Sequence, residues 1–263
     1  MTPIRHPAVA GTFYPADPVQ LHRSVQGYLQ AAAIPVGSLP KAIVAPHAGY
    51  VYSGPVAASV YRSLQAGGHA IRRVILIGPS HRVGFRGIAL CQATAYASPL
   101  GQVPIDRSAY ASLKDLAFVG FLDEAHAHEH SLEVQLPFLQ EVLGSSFSLV
   151  PLVAGEATPE QVSVVLERLW QDTATLLVIS SDLSHYHDYA TAQGMDQATS
   201  RAIEHLQMDA IDNESACGRV PLRGLLFLAK RKGWTAQTVD LRNSGDTAGG
   251  KDRVVGYGAY VFH

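Results

Sequence analysis

Apolar and amphipathic segments alternate along the chain. Short runs rich in Val, Ile and Leu, among them "AIVA", "VILIG" and "LLVIS", have the length and composition of buried strands. Between such runs, apolar residues recur at helical spacing, as in Leu21, Val25 and Leu29. Alternation of this kind is typical of a parallel sheet covered by helices. We therefore predict an α/β fold: a single three-layer α/β/α domain over residues 1–263, with a mixed, largely parallel central sheet and antiparallel edges.

Prolines and capping residues set the boundaries of several predicted elements. One helix is predicted over residues 20–33, and another begins at Ser53, which Gly54 and Pro55 follow as in many helix starts. Residues 106–117 and 130–144 are also predicted to be helical, the second with a kink near Pro137. The closing segments "AQTVDLRNS" and "RVVGYGAYVF" are predicted to be strands.

Composition and charge exclude several classes of protein. Hydrophobic residues make up 47% of the chain and charged residues 16%, which suits a compact globule. The net charge of -2 gives no electrostatic footprint for nucleic acid or an anionic membrane. No apolar run approaches the ~20 residues that span a bilayer. Cys91 and Cys217 form no CxxC pair, which argues against a disulfide scaffold or a four-thiolate zinc site and favours the cytoplasm.

Ionisable side chains follow three of the apolar strands. His47 follows "KAIVAP", His81 follows "RVILIGPS", and Asp182 and His185 follow "LLVIS". Ligands of open α/β sheets bind beyond the carboxyl ends of the strands, so these side chains are expected to share a crevice. Imidazole and carboxylate are ligands of iron, manganese and zinc, and two histidines with one carboxylate suit ferrous iron. The pattern predicts a metal centre with an uncertain third ligand.

The segment "EAHAHEHSLE" adds three histidines near this crevice. His130 lies nearest the predicted helix start and is expected to face the crevice, whereas His126 and His128 are expected to be solvated loop residues. Glu129 and Glu133 are expected to favour the helix start through its dipole.

Asp182 and His185 together suggest an acid/base pair. A carboxylate that holds one imidazole nitrogen sets the tautomer of the other, so Asp182 is expected to orient His185. Ser180 and Ser181 lack a G-x-S-x-G elbow, and we interpret them as the end of a strand.

Several separate motifs carry a family resemblance. They are "AGTFYPADP", "APHAGYVYSGPVAASVY", "GPSH", "EHSLEVQLPFL", "SSDLSHY", "ACGRVPLRGLL" and "NSGDTAGGKDRVVGYGAYVF". Together and in this order they resemble the MEMO family, called AmmeMemoRadiSam system protein B in prokaryotes.

The resemblance implies a fold similar to the LigB-type class III extradiol dioxygenases, which open catechol rings with non-haem ferrous iron. It matches His47 and His81 to the two histidine ligands, His185 to the acid/base histidine, and His130 to another histidine of that site. The third ligand is a glutamate in those dioxygenases and a cysteine in animal MEMO proteins. The matching segment here offers Ser244, with Asp246 nearby.

Two functions therefore remain open, and a third is less favoured by the sequence. The first is a dioxygenase-like oxidoreductase that holds Fe(II), or else Cu or Zn, and uses His185, Asp182 and His130 on an unidentified small molecule. The second is a non-catalytic accessory protein that binds a peptide, metabolite or metal and acts with a radical-SAM enzyme and an AMMECR-type protein. The resemblance supports it, because animal members are described as adaptors that recognise phosphotyrosine peptides. The third is a metal-dependent hydrolase.

Overall fold

The centre of the molecule is a mixed β-sheet built from the apolar runs of the sequence. The computed structural model describes residues 3–33 and 37–263. Its strands are β1 Ile4–Arg5, β2 Ala42–Ala45, β3 Arg73–Pro79, β4 Ile88–Leu90, β5 Ala95–Ser98, β6 Gly101–Pro104, β7 Val119–Phe121, β8 Ser148–Ala154, β9 Thr175–Ser180, β10 His185–His187, β11 Ala236–Asn243 and β12 Val254–Phe262.

Helices separate most of these strands along the chain. The α-helices are α1 Pro18–Ala31, α2 Tyr50–Tyr61, α3 Asp123–Ala127, α4 Leu136–Leu143, α5 Pro159–Leu169, α6 Tyr189–Glu204, α7 Arg219–Lys232 and α8 Ser244–Thr247. Short 3₁₀ helices cover Arg62–Leu64, Gly68–Ala70, Arg107–Leu113, Glu133–Gln135 and Met208–Ala210. Within the described ranges, no helix is long and apolar enough to cross a membrane.

The strand order confirms a parallel centre with antiparallel flanks. The main sheet runs β10-β12-β2-β9-β3-β8-β4-β7, and β11 also pairs with β12. β2, β9, β3 and β8 are mutually parallel, whereas β12 pairs antiparallel with β2, and β4 with β8. A small second sheet, β1-β5-β6, was not predicted. Its strands are two to four residues long, too short for a periodic signal.

Two groups of helices cover the sheet. α1, α2 and α4 pack together, and α2 contacts β2, β11 and β12. α5 packs on α7, which contacts β3 and β9, while α6 lies on β11 and β12. The fully buried middle strands and these helices confirm the predicted α/β/α class.

Helix α2 begins earlier than the sequence predicts. It starts at Tyr50 with Gly49 at the N-cap, while the predicted cap, Ser53, donates its hydroxyl to the carbonyl of Ala48 at 2.8 Å. Pro55 lies inside the helix, where a proline removes one backbone hydrogen bond. Burial of most of the α2 side chains offsets this cost, so packing overrides the local proline signal.

Two other helices are shorter than predicted. Residues 106–117 form only the 3₁₀ helix Arg107–Leu113, which the Asp106 side chain caps. Residues 130–144 form a 3₁₀ turn followed by α4, with Pro137 in the first turn of α4. Proline is tolerated there because its missing N–H has no partner at a helix start.

The parallel register brings three strand ends to one edge of the sheet. Ala45 of β2 pairs with Ser180 of β9, and Ile77 of β3 pairs with Ile179. The segments that follow β2, β3 and β9 therefore emerge side by side. They carry the histidines and the aspartate on which the predicted metal centre depends.

The contact of α5 with α7 needs a residue without a side chain. A Cβ atom on Gly224 of α7 would lie 2.2 Å from Cγ1 and 2.3 Å from Cβ of Val162 in α5. We expect Gly224→Ala to lower the free energy of unfolding by roughly 1–3 kcal/mol through overpacking, measured by urea denaturation. The control is Gly27→Ala in α1, where a Cβ meets nothing within 4 Å. It should raise stability by about 0.5–1 kcal/mol, and equal effects of both changes would contradict the close packing.

Candidate metal centre

The strand ends line a crevice of about 920 Å³. His47, His81, His130, Asp182 and His185, which the sequence predicts to share a site, all line it. The ring centroid of His47 lies 5.1 Å from that of His81 and 5.5 Å from that of His130. The structure therefore brings these five side chains together.

The hydroxyl of Ser180 fixes the tautomer of His47. Gln135 Nε2 donates to the carbonyl of Pro46 at 2.9 Å and to Ser180 Oγ at 2.8 Å, and Ser180 Oγ donates to the carbonyl of Ser131 at 2.5 Å. A hydroxyl has one proton, so Ser180 must accept from His47 Nδ1, 2.9 Å away. His47 Nε2 then carries a lone pair on the crevice side. Burial lowers the pKa of His47 well below its usual value, and the charges of the neighbouring histidines lower it further.

The carboxylate of Glu129 fixes the tautomer of His81. Its carboxylate accepts from His81 Nδ1 at 2.9 Å and from the backbone N–H groups of His81, His130 and Ser131 at 2.6, 2.9 and 2.9 Å. Burial alone would raise the pKa of Glu129, but the bonds from His81 and the backbone lower it to about 2. Glu129 is therefore an ionised anchor and not the helix-start residue we expected. A carboxylate on one nitrogen of a histidine is a common support for metal binding at the other.

A backbone carbonyl orients the ring of His185. Its Nδ1 donates to the carbonyl of Leu183 at 2.8 Å, which leaves the Nε2 lone pair free. We expected Asp182 to orient this ring, but the Asp182 carboxylate accepts from the backbone N–H of His47 at 2.7 Å. Burial raises the pKa of Asp182 to about 6, against the opposing effect of that hydrogen bond.

His130 lies between two rings. Its centroid is 4.6 Å from that of His81, nearly stacked, and 4.8 Å from that of Phe13. Burial lowers the pKa of His130 to about 4. Its Nδ1 lies 3.4 Å from Glu129 Oε1, but the two atoms are not aligned for a hydrogen bond.

Cys217 is the donor that the sequence analysis missed. Its Sγ lies 3.3 Å from His47 Nε2 and accepts from the backbone N–H of Asp182, also at 3.3 Å. The donor atoms of His47, His81 and Cys217 all lie within 4.8 Å of one another. Burial, followed by the charge of Asp182, raises the pKa of the Cys217 thiol, so without a metal the thiol can donate to His47 Nε2. The available signal was the "ACGR" segment just before α7.

The two residues expected to offer a third ligand, Ser244 and Asp246, each hold hydrogen bonds of their own. Ser244 lines the crevice, but its Oγ accepts from the backbone N–H of Val255 at 3.1 Å. Asp246 lines a separate small cavity, where its carboxylate accepts from the Asn243 N–H at 2.9 Å and from Tyr189 Oη at 2.5 Å. Asp246 therefore lies outside the crevice, whereas Ser244 shares it with His47, His81 and Cys217.

Two residues of the same histidine-rich segment, His126 and Glu133, do not line the crevice and are held by buried hydrogen bonds instead. His126, expected in solvent, is 1% exposed and hydrogen-bonds to Tyr96 Oη at 2.7 Å and to the carbonyl of Ala89 at 3.0 Å. Glu133, expected only to favour a helix start, pairs with the buried Arg5 and accepts from Tyr14 Oη at 2.5 Å. Glu133 thus ties the N-terminal segment to the segment that follows His130. An isolated motif cannot reveal partners so distant in sequence.

The low pKa of Glu129 predicts acid sensitivity. A carboxyl whose pKa falls from 4.5 to about 2 on folding stabilises the protein above pH 4.5, and this stabilisation is lost as the pH falls toward 2. We expect metal-free wild type to lose about 3 kcal/mol of unfolding free energy over this range that Glu129→Gln does not lose. Urea denaturation at several pH values measures the difference. Glu124→Gln, at an exposed carboxyl, should follow wild type; identical pH profiles for wild type and Glu129→Gln would contradict the anchor role.

Comparison with known proteins gives the family. The family described as Memo-like protein matches residues 5–261. A MEMO1 family protein of Sulfolobus acidocaldarius is 34% identical, covering 97% of each chain. A MEMO1 family protein of Methanopyrus kandleri is 36% identical over 98% of each chain, and one of Aquifex aeolicus is 35% identical over 98% of this chain and 99% of its own. The family match and these full-length relatives confirm the resemblance seen in the motifs: the chain belongs to the MEMO family.

Proposed function

We propose that this protein is a metal-dependent oxidoreductase of the non-haem type, in which His47, His81 and Cys217 hold the metal. The observation that carries the proposal is the convergence of their three donor atoms within 4.8 Å. Both imidazoles are held with Nε2 free for a ligand, His47 by Ser180 and His81 by Glu129. Fe(II) is the metal we propose first, with Cu or Zn as alternatives.

The donor set fits such a metal. Two imidazoles and a thiolate are ligands that iron, copper and zinc all accept, and the thiolate is the softest of the three. The raised pKa of the Cys217 thiol does not oppose this, because a bound cation deprotonates a coordinating thiol. Ferrous iron would supply the reactivity toward dioxygen that amino-acid side chains lack.

The remaining polar side chains support proton transfer. His185 presents a free Nε2 to the crevice and can accept a proton from a hydroxyl of the substrate. The carbonyl of Leu183, which accepts from its Nδ1, would stabilise the resulting imidazolium. Asp182 offers a nearby carboxyl with a pKa of about 6, close to neutrality, and His130 forms a neutral wall beside His81.

A non-catalytic accessory role is the second candidate. Tyr52 and Tyr186, at the edge of the crevice, are 40% and 64% exposed. Exposed aromatic rings around a cavity of about 920 Å³ favour a ligand or partner larger than a metal with a small substrate. Such a protein would act with the radical-SAM and AMMECR-type partners that the family's prokaryotic name implies. Both cysteines are free thiols, which supports a cytoplasmic location.

Metal content tests the assignment of the ligands. We expect His47→Ala, His81→Ala and Cys217→Ser each to lower metal affinity tenfold or more, because each removes a direct ligand. The measurement is plasma mass spectrometry of anaerobically purified protein, followed by titration with Fe(II), Zn(II) and Cu(I). Far-ultraviolet circular dichroism of each variant checks that the fold is intact.

Matched variants separate the candidates for the third ligand. Ser244→Ala and Asp246→Asn should bind metal as wild type does, since the Ser244 hydroxyl accepts from the backbone N–H of Val255 and the Asp246 carboxylate from that of Asn243. Loss of binding in either of them, with normal binding in Cys217→Ser, would overturn the choice of Cys217. No metal uptake by wild type would favour the accessory role, and a strict preference for zinc would favour the hydrolase.

Cobalt gives a direct readout of the sulfur. Co(II) bound through a thiolate has a charge-transfer absorption in the near ultraviolet that Co(II) bound through nitrogen and oxygen lacks. We expect this absorption in Co(II)-loaded wild type and in Ser244→Ala, and its loss in Cys217→Ser. A spectrum that is the same in Cys217→Ser as in wild type would mean that sulfur is not a ligand.

A further inference from the structure

One wall of the crevice is a strip of side chains at the beginning of strand β12. Arg253, Val255 and Tyr257 all line the crevice; Val255 and Tyr257 are alternate residues of β12, and Arg253 directly precedes the strand. Alternate residues of a strand point to the same face, so Val255 and Tyr257 face the crevice together, and Arg253 lines it just before the strand begins. Its exposure falls along the strand, from exposed Arg253 through half-buried Val255 to Tyr257, which is 2% exposed. The strip therefore runs from the mouth of the crevice to its floor.

Tyr257 supplies a hydrogen-bond donor at the floor. In the described part of the chain, its hydroxyl makes no hydrogen bond, although the side chain is almost fully buried. Burial, followed by the negative charge of Asp182, raises the pKa of Tyr257 far above its usual range, so the phenol stays protonated. Tyr257 lines the crevice, so its hydroxyl is a donor that a ligand or water in the crevice can complete.

Arg253 supplies a positive charge at the mouth. It is the single lysine or arginine among the described residues that line the crevice, and no ion pair involves it within residues 3–33 and 37–263. Its guanidinium lies over the ring of Tyr186, 5.3 Å from the centroid. The negative residues of the lining are Asp182 at the floor and Glu214, which lies 3.8 Å from His187.

The length and chemistry of the strip describe its ligand. Tyr257 lies four positions after Arg253, so their Cα atoms are separated by up to about 13 Å. A ligand along this wall meets a donor hydroxyl at one end, the apolar Val255 in the middle, and a guanidinium at the other end. Arginine pairs with carboxylates through two parallel hydrogen bonds, and the adjacent ring of Tyr186 favours a flat ligand.

We propose that the crevice binds an elongated organic acid, with its carboxylate on Arg253 at the mouth and an oxygen function on the Tyr257 hydroxyl at the floor. The inference rests on the proposed function for the reacting end of the ligand, and it deepens that function by naming the substrate class. Arg253 and Tyr257 are then specificity-determining residues. Neither reaches the proposed metal ligands through a hydrogen bond in the described chain.

Binding of matched probes to metal-free protein tests the two ends separately. The probes are 3-(4-hydroxyphenyl)propanoate, its methyl ester, and 3-phenylpropanoate, which lacks the hydroxyl; calorimetric titration gives the dissociation constants. We expect the hydroxylated acid to bind about tenfold tighter than its ester and about fivefold tighter than 3-phenylpropanoate.

Variants assign each preference to its residue. Arg253→Gln should abolish the preference for acid over ester, and Tyr257→Phe should abolish the preference for the hydroxylated acid. Arg107→Gln and Tyr28→Phe are the matched controls, because Arg107 is exposed and both lie outside the crevice. Both controls should bind all three probes as wild type does.

Several results would overturn the inference. They are equal binding of acid and ester by wild type, an acid preference that survives Arg253→Gln, or no binding of the acid at about 1 mM. Metal titration of the same proteins separates this inference from the proposed function. Acid selectivity without metal uptake would remove the metal-dependent function and keep the acid site. Metal uptake without acid selectivity would remove the acid site and keep the metal-dependent function.

Discussion

The hydroxyl of Ser180 has one proton and two acceptor positions, and the protein uses all three. The carbonyl of Ser131 takes the proton, the amide of Gln135 occupies one acceptor position, and His47 must fill the other with its Nδ1 proton. The orientation of the crevice-facing nitrogen of His47 is thus decided by buried atoms behind the ring. Because this network is buried, each of its groups would be costly to leave unpaired. The same constraint explains why a serine ends strand β9 at that point.

A second buried network supports His81 from the other side. Glu129 receives four hydrogen bonds, and the guanidinium of Arg5 bonds to its backbone carbonyl while also pairing with Glu133. The short N-terminal segment therefore stiffens the wall that carries His81. Ionised groups at this depth are tolerated because each has several donors or a paired charge. The result is a crevice whose lone pairs are fixed before any ligand enters.

The sequence predicts the layers of the fold and the convergence of the strand-end residues, because both follow from local periodicity and from the geometry of parallel strands. It cannot predict contacts between segments far apart in the chain. The thiol of Cys217 lies 170 positions from His47, and Glu133 lies 128 positions from Arg5. Neither separation leaves a mark on the local pattern. Ser244 and Asp246 illustrate the opposite case, in which a plausible position in a motif does not place both side chains in the crevice.

The same separation along the chain has a consequence during synthesis. A ribosome that has released residue 81 has exposed both histidines, but the sulfur follows only after most of the remaining chain has emerged. The half-made protein therefore offers two imidazoles without the thiolate, a weaker set for a soft metal ion. With the ligand set proposed above, uptake of a metal would wait until Cys217, just before α7, is made, so the order of translation would delay loading until the surrounding walls can fold.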